Sequence, residues 1–297
     1  MKLSQHKPNA TKRVLITGLS GSGKSSLAAE MAEHGYNLIW IDLENSSDGL
    51  MKLSPEAQER VDLISLPDSA SYPIGAATLL KLFKEGKANI CEAHGKVECA
   101  ECKKAPAAHI SPVDFSKLTP NDIVVLDSGT QLSYSIMAHT MKDKSVDTKP
   151  ERDDWGALRK YTEFFKSQFQ GFRGNLIVIC QCTEAELDDG GLKLVPSFGS
   201  AVMSASFASA FDCVLYTEIK NGKHRAFSKS TASPKVLTRS RSDFAIESMP
   251  SLSLLPLFTG DYKVENPIIS GSPGATAVKS LTGIAAKMAE LKLKGGK

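Results

Sequence analysis

Short runs of consecutive apolar residues alternate along this chain with longer stretches whose apolar positions recur every three or four residues. Runs of the first kind read as strands buried on both faces, those of the second as amphipathic helices. The pattern predicts strands over residues 13–17, 37–42, 61–65, 123–126, 175–180 and 211–216. Helices are predicted over 25–34, closed by Gly35, over 75–84, around 131–141, and over 155–169. Strand, helix, strand over residues 13–42 is a βαβ unit, which requires parallel strands and a right-handed crossover. The expected fold class is therefore α/β, with a mostly parallel central sheet covered on both faces.

Two segments break this rhythm. A Cys-rich stretch at 88–104 intrudes between a helix and a strand, and from 261 to 297 the chain turns to Gly, Ser, Pro and Ala with scattered lysines. The expected organisation is a core over 1–260 carrying a small insertion at 88–104, then a flexible tail over 261–297 with one weak helix at 276–292. No internal repeat is visible. The 297 residues, 41% hydrophobic and 23% charged, suffice for one substantial core. No apolar run approaches the roughly 18 residues of a membrane span, and the polar, basic N-terminus has no apolar stretch of the secretory kind. A cytoplasmic protein without a membrane partner is the expectation. A net charge of +3 is too small to announce nucleic-acid binding, so any such role depends on where the charges lie.

Candidate chemistry begins at Gly18-Leu19-Ser20-Gly21-Ser22-Gly23-Lys24-Ser25, which fits G-x-x-x-x-G-K-[ST] between a predicted strand and a predicted helix. Such glycines let backbone N–H groups turn inward around phosphates, and the helix start adds its positive dipole end. Gly18, Ser20, Gly21, Ser22, Gly23, Lys24, Ser25 and Ser26 form the expected ATP cradle, Lys24 reaching the β/γ-phosphates and Ser25 holding Mg2+. Asp127, ending the apolar strand Ile123-Val124-Val125-Leu126, is the second expected Mg2+ residue, in the Walker-B position.

The strand Ile39-Trp40-Ile41-Asp42 leads into Leu43-Glu44, placing Glu44 in the crevice where a carboxylate can activate water. A glutamate there resembles the catalytic glutamate of RecA-like recombinase ATPases. Ile177-Val178-Ile179-Cys180-Gln181 resembles that family's strand ending in a γ-phosphate-sensing glutamine, and Asp154-Trp155-Gly156 opens a helix before it. The resemblance, over roughly residues 13–243, is to phage-encoded RecA-like ATPases of single-strand annealing and recombination. It implies catalytic roles for Glu44, Lys24 and Gln181, and a DNA-stimulated Mg-ATPase acting on single-stranded DNA in recombination, annealing or repair. It further implies a homo-oligomeric filament or ring, a single-strand binding protein as partner, and a host cytoplasm if phage-encoded. The same phosphate loop also resembles that of small-molecule kinases such as adenylylsulfate kinase. A nucleotide-switched assembly protein is a third reading.

Cys91-x-x-His94 and Cys99-x-x-Cys102 supply four soft ligands in two knuckle-spaced pairs, the pattern of a structural zinc site, with His109 as a substitute ligand. Cys180, Cys182 and Cys213 lie in or beside apolar strands and read as buried. Residues 139–152 and 183–200 have the composition of mobile, ligand-contacting loops, and the resemblance to RecA-like proteins implies that they are the two DNA-binding loops, although Glu184, Glu186, Asp188 and Asp189 oppose phosphate contact by the second. The most basic stretch carries Lys220, Lys223, Arg225, Lys229, Lys235, Arg239 and Arg241, suited to a phosphate backbone, to a cation reaching a neighbouring subunit's ATP (Arg225 or Lys229), or to a solvated hairpin edge.

Overall fold

The computed structural model describes residues 11–69, 72–97, 99–100, 102, 110–145, 147–186, 191–228, 236–240 and 253–259. The expected tail at 261–297 and its helix at 276–292 lie outside the described residues. In chain order the elements are β1 (Arg13–Gly18), α1 (Lys24–Glu33), β2 (Asn37–Asp42), α2 (Pro55–Gln58), β3 (Val61–Ser65), α3 (Ile74–Glu85), β4 (Lys87–Cys91) and β5 (Ile110–Asp114). There follow β6 (Asp122–Asp127), α4 (Gly129–Thr140), α5 (Arg152–Gly171), β7 (Asn175–Glu186), β8 (Leu192–Pro196), α6 (Ala201–Phe207), β9 (Cys213–Lys220), β10 (Lys223–Phe227), β11 (Arg239–Ser240) and α7 (Leu255–Thr259).

The central sheet runs β10-β9-β1-β7-β6-β2-β3, parallel from β9 to β3, with β10 and β11 antiparallel on β9 and β8 antiparallel on β7. β1 and β6 are buried along nearly their whole length and β7 from Asn175 to Cys180, as continuous apolar runs require when both faces are covered. On one face the core is aromatic. Phe169 of α5, fully buried, meets Phe83, Phe165, Phe207 and Phe211 at centroid separations of 5.3 to 6.2 Å. Truncation of such a ring to alanine costs about 3–5 kcal/mol. The buried positions of α5, Asp154, Leu158, Thr162, Phe165 and Phe169, fall at helical spacing on one side.

The strands and helices predicted between residues 13 and 216 are all present, and the structure adds detail at their ends. Helix α5 starts at Arg152 rather than at Trp155, because Glu151 and Asp154 form a reciprocal capping box. One expectation is overturned. Residues 183–200 are largely not a loop: β7 continues past Gln181 to Glu186 and pairs antiparallel with β8, from Cys182 opposite Pro196 to Glu186 opposite Leu192. Ala185 and Val195 are buried within the ribbon while Thr183, Glu184 and Glu186 are exposed. Asp188 and Asp189 lie outside the described residues. The segment between α4 and α5 is irregular, as expected, and Lys144 within it pairs with Glu151 and Asp154 at 3.3 and 2.7 Å.

Candidate functional site

The site lies at the carboxyl ends of β1, β7, β6 and β2, where the parallel sheet opens into a crevice. Gly18 ends β1 with Gln181 of β7 on one side and Thr217 of β9 on the other. From there the phosphate loop runs to α1, whose N-cap Gly23 has φ 94° and provides no side-chain cap. The first-turn N–H groups are thus left for an anion rather than a side chain. Glycine is required at 23 twice over: the backbone is left-handed, and an added Cβ would lie 2.9 Å from His224 Nδ1. The loop is braced from outside by Ser22 Oγ at 2.7 Å from Thr217 Oγ1 and by His224 Nδ1 donating to Ser22 O at 3.1 Å.

Lys24 is buried and its Nζ donates to Leu19 O at 2.8 Å, which holds the ammonium across the mouth of the loop. Burial lowers its pKa from the ordinary lysine value, against the opposing pull of Asp127. The Ser25 hydroxyl donates to Asp127 Oδ2 at 2.8 Å. Asp127 has its pKa raised to about 6, chiefly by burial, with the Ser25 hydrogen bond opposing and the charges of Glu44 and Asp42 adding. A hydroxyl and a carboxylate in contact, inside a cluster of acids that repel one another, form a donor set that a hard divalent cation would satisfy. Ser25 and Asp127 would hold Mg2+ there, as the sequence predicts.

Glu44 follows β2 and is aimed by two groups. Fully buried Asp42 accepts the Glu44 and Ser46 N–H groups at 2.9 and 3.0 Å, fixing the turn, and Ser128 Oγ donates to Glu44 Oε1. Strand β7 stands between β1 and β6, so Gln181 lies between the phosphate loop and the Walker-B strand. Its backbone N–H donates to Thr130 Oγ1, which donates in turn to Ser197 O, both at 2.9 Å. Gln181, Glu44, Asp68 and Tyr134 line one cleft of about 390 Å3. Lys24, Ser25, Asp127, Glu44 and Gln181 are thereby brought together. Asp42, Ser128, Thr130, Thr217 and His224 escaped the sequence reading. Asp42 and Ser128 adjoin motif residues and could have been found; Thr217 and His224 touch the loop from about 200 positions away.

The Cys/His cluster grows from the antiparallel pair β4–β5. Cys91 Sγ, Cys99 Sγ and Cys102 Sγ stand 3.4, 3.6 and 3.4 Å from His94 Nδ1. Zinc bonds of about 2.3 Å to sulfur and 2.0–2.1 Å to nitrogen at tetrahedral angles imply sulfur–nitrogen edges of about 3.5 Å, so the set fits zinc. The Cys91 and Cys102 sulfurs, 2.9 Å apart, would have to separate by under about 1 Å to reach the corresponding sulfur–sulfur edge. All four ligand atoms lie within 4.8 Å of one another and the cysteines are free thiols. Neighbouring thiols push Cys102 up to about 12, so three thiolates require a cation among them. The knuckle is docked on the core: Gly95, at φ 62°, faces Ile74, Leu66 and the Ser65 carbonyl, and its own carbonyl accepts from Thr78 Oγ1 at 2.6 Å. His109 lies outside the described residues.

Of the basic residues, Lys220, Lys223 and Arg225 lie in the β9–β10 hairpin, with Lys220 and Lys223 exposed beside its turn, and Arg239 lies in β11. Arg225 faces Glu218 across the hairpin at 3.8 Å. Lys229, Lys235 and Arg241 lie outside the described residues. Cys180 and Cys213 are buried as expected, and burial pushes both thiols up. Cys182 departs from expectation by being only half-buried, because the strand beyond Cys180 leaves the covered sheet. No helix among the described residues is long and apolar enough to cross a membrane.

Comparison with known proteins gives a match to the model of the AAA domain family over residues 10–242. Among solved structures, the RadB recombinase is similar at a TM-score of 0.38 and 13% identity, over 73% of this chain and 79% of that one. A second solved structure, the ATPase domain of another protein, is similar at a TM-score of 0.40 and 10% identity, over 80% of each chain. No curated protein sequence matches.

Proposed function

The chain belongs to the AAA domain family; from that premise we propose that it has a RecA-like P-loop ATPase core and is a Mg-ATPase working on single-stranded DNA in phage-type recombination, annealing or repair. The observation that carries the hydrolytic part is the aiming of Glu44 by Asp42 and Ser128 toward the cluster of Lys24, Ser25 and Asp127. In this reading the loop N–H groups and Lys24 hold the phosphates. Ser25 and Asp127 would hold Mg2+, which would supply positive charge against the phosphates. Glu44 accepts a proton from the attacking water, and Gln181 registers the γ-phosphate at the root of the β7–β8 ribbon. General-base assistance of this kind contributes about 10²–10⁴ in rate.

For the DNA-directed part, two hairpins leave the sheet beside the phosphate loop, β7–β8 carrying Lys193 and β9–β10 carrying Lys220 and Lys223. Together with the resemblance to RecA-like recombination ATPases, they support a phosphate-backbone contact that weakens with salt. Oligomers of the core, a single-strand binding protein as partner, a cytoplasmic location, structural zinc at Cys91, His94, Cys99 and Cys102, and a separate tail after residue 260 complete the proposal. A small-molecule kinase is disfavoured: between residues 45 and 121 Arg60 is the only arginine, which is no basis for an arginine-rich lid. Steady-state ATP turnover of wild type and Glu44→Gln, with and without single-stranded DNA, tests the reading. Turnover raised by DNA and lowered at least about a hundredfold by the substitution, with ATP still bound, is expected. Normal hydrolysis by Glu44→Gln removes the assigned base, and indifference to DNA with no retention at low salt removes the DNA role.

A further inference from the structure

On the helical layer, α3, α4 and α5 leave between them a groove of about 540 Å3 that shares no residue with the Glu44–Gln181 cleft. Its floor is apolar and concave. Leu80 of α3 and Tyr161 and Phe164 of α5 are half-buried there, in contact with the aromatic core yet open to the groove. Around this floor stand Lys81, Lys84 and Lys160 against the single acid Glu85, a rim of net charge +2. On α4, His139 packs edge-on to Tyr161 at 5.7 Å, and its Nδ1 is buried with no hydrogen-bond partner. A volume of this size on an apolar floor, with a few polar groups at the edge, has the form of a site for a side-chain-sized anchor.

We propose that this groove docks an acidic segment of another protein, with an aromatic or aliphatic anchor on Leu80, Tyr161 and Phe164 and carboxylates against Lys84 and Lys160. Charge selects the occupant. The chain's own termini are poor candidates: residues 1–12 contain lysines and no acid, and residues 261–297 contain six lysines against three acids. Either would bring like charge onto the lysine rim. A nucleic-acid strand would satisfy the lysines but leave a concave apolar floor without a complementary surface, whereas an amphipathic acidic peptide satisfies both. Lys84 and Lys160 are exposed and belong to none of the ATP-handling residues, so their substitution separates this proposal from the ATPase reading.

The experiment is fluorescence anisotropy with a labelled decapeptide of aspartates flanking a Phe-Leu pair, titrated with the full-length protein at low salt. A dissociation constant of about 10–100 μM is expected, weakened about tenfold or more by Lys84→Glu combined with Lys160→Glu, with ATP turnover unchanged. Phe164→Ala should weaken it comparably by removing the anchor's seat. Several outcomes overturn the proposal: no binding up to about 1 mM, equal affinity for the charge-reversed protein, equal binding of the peptide with lysines in place of aspartates, or displacement of the peptide by oligothymidylate. A change of oligomeric state in the charge-reversed protein on sedimentation also overturns it, by showing that the face is occupied by a second copy.

Discussion

In magnesium-free buffer, Asp127→Asn should stabilise the protein by an amount that grows with pH. Burial, with the neighbouring charges of Glu44 and Asp42, lifts the Asp127 carboxyl from 3.8 to about 6. An acid whose folded pKa lies above its unfolded one binds more protons folded than unfolded between those values. Stability therefore falls as pH rises through that window, and the ionised form above it is disfavoured in the fold. A shift of about two units corresponds to about 3 kcal/mol once both states are ionised, and to about 1 kcal/mol at pH 4.5, where the folded group is still protonated. Asparagine removes the charge while keeping an oxygen to accept from the Ser25 hydroxyl, so little else changes. Urea denaturation at pH 8 should show the variant more stable by about 3 kcal/mol, a midpoint shift of about 1 M, shrinking to about 1 kcal/mol at pH 4.5. Chelators are left out so that any metal proposed for the Cys/His cluster stays bound. Adding Mg2+ should stabilise the wild type and not the variant. Equal stabilities at pH 8, or a gain of the same size at both pH values, would refute the assignment of Asp127 as a strained, cation-requiring carboxylate.

Three further outcomes follow from named contacts. Asp42→Ala leaves the Glu44 and Ser46 N–H groups without their acceptor at about 1–3 kcal/mol each, and should lower kcat for ATP while nucleotide affinity, read by fluorescent-analogue titration, stays near wild type. Cys99→Ser should reduce bound zinc from about one equivalent to under half by metal analysis and lower the melting temperature, whereas His94→Cys, a replacement ligand, should retain zinc. His224→Ala removes the hydrogen bond to Ser22 O, worth about 1 kcal/mol, and should raise KM for ATP roughly fivefold with a smaller change in kcat.

The sheet was legible in the sequence because its middle strands are buried on both faces, and such strands announce themselves as unbroken apolar runs, as Ile123-Val124-Val125-Leu126 does. The same property explains what was missed. Strands β4, β5, β8 and β10 are only five residues long, incompletely buried, and interrupted by polar residues or proline such as Lys87, Asn89, Pro112, Lys193, Lys223 and Arg225, so their signal is indistinguishable from that of a polar loop. The ATP-handling residues could be read because the motif fixes Lys24 and Ser25 by spacing, and Asp127, Glu44 and Gln181 each end an apolar run. Thr217 and His224 carry no such mark; their role arises only because β9 closes beside β1 and brings its hairpin against the loop. The groove on α3, α4 and α5 was equally hidden, since its lysines are ordinary surface residues until three helices are placed side by side.

Strand β7 is a single twelve-residue element that belongs to two structures at once. It is paired in the parallel sheet with β6 up to Ile179 and with β1 up to Gln181; beyond that, five residues form one arm of the ribbon with β8. At about 3.3 Å per residue the arm reaches roughly 17 Å past the glutamine. Its ladder to β8 runs without interruption down to Cys182, and Ser197 N–H closes onto the Gln181 carbonyl at 2.7 Å. Paired backbone therefore runs without a break from Glu186 and Leu192 down to Gln181, so a ligand held on the ribbon would be linked through main-chain hydrogen bonds to the residue beside the phosphate loop.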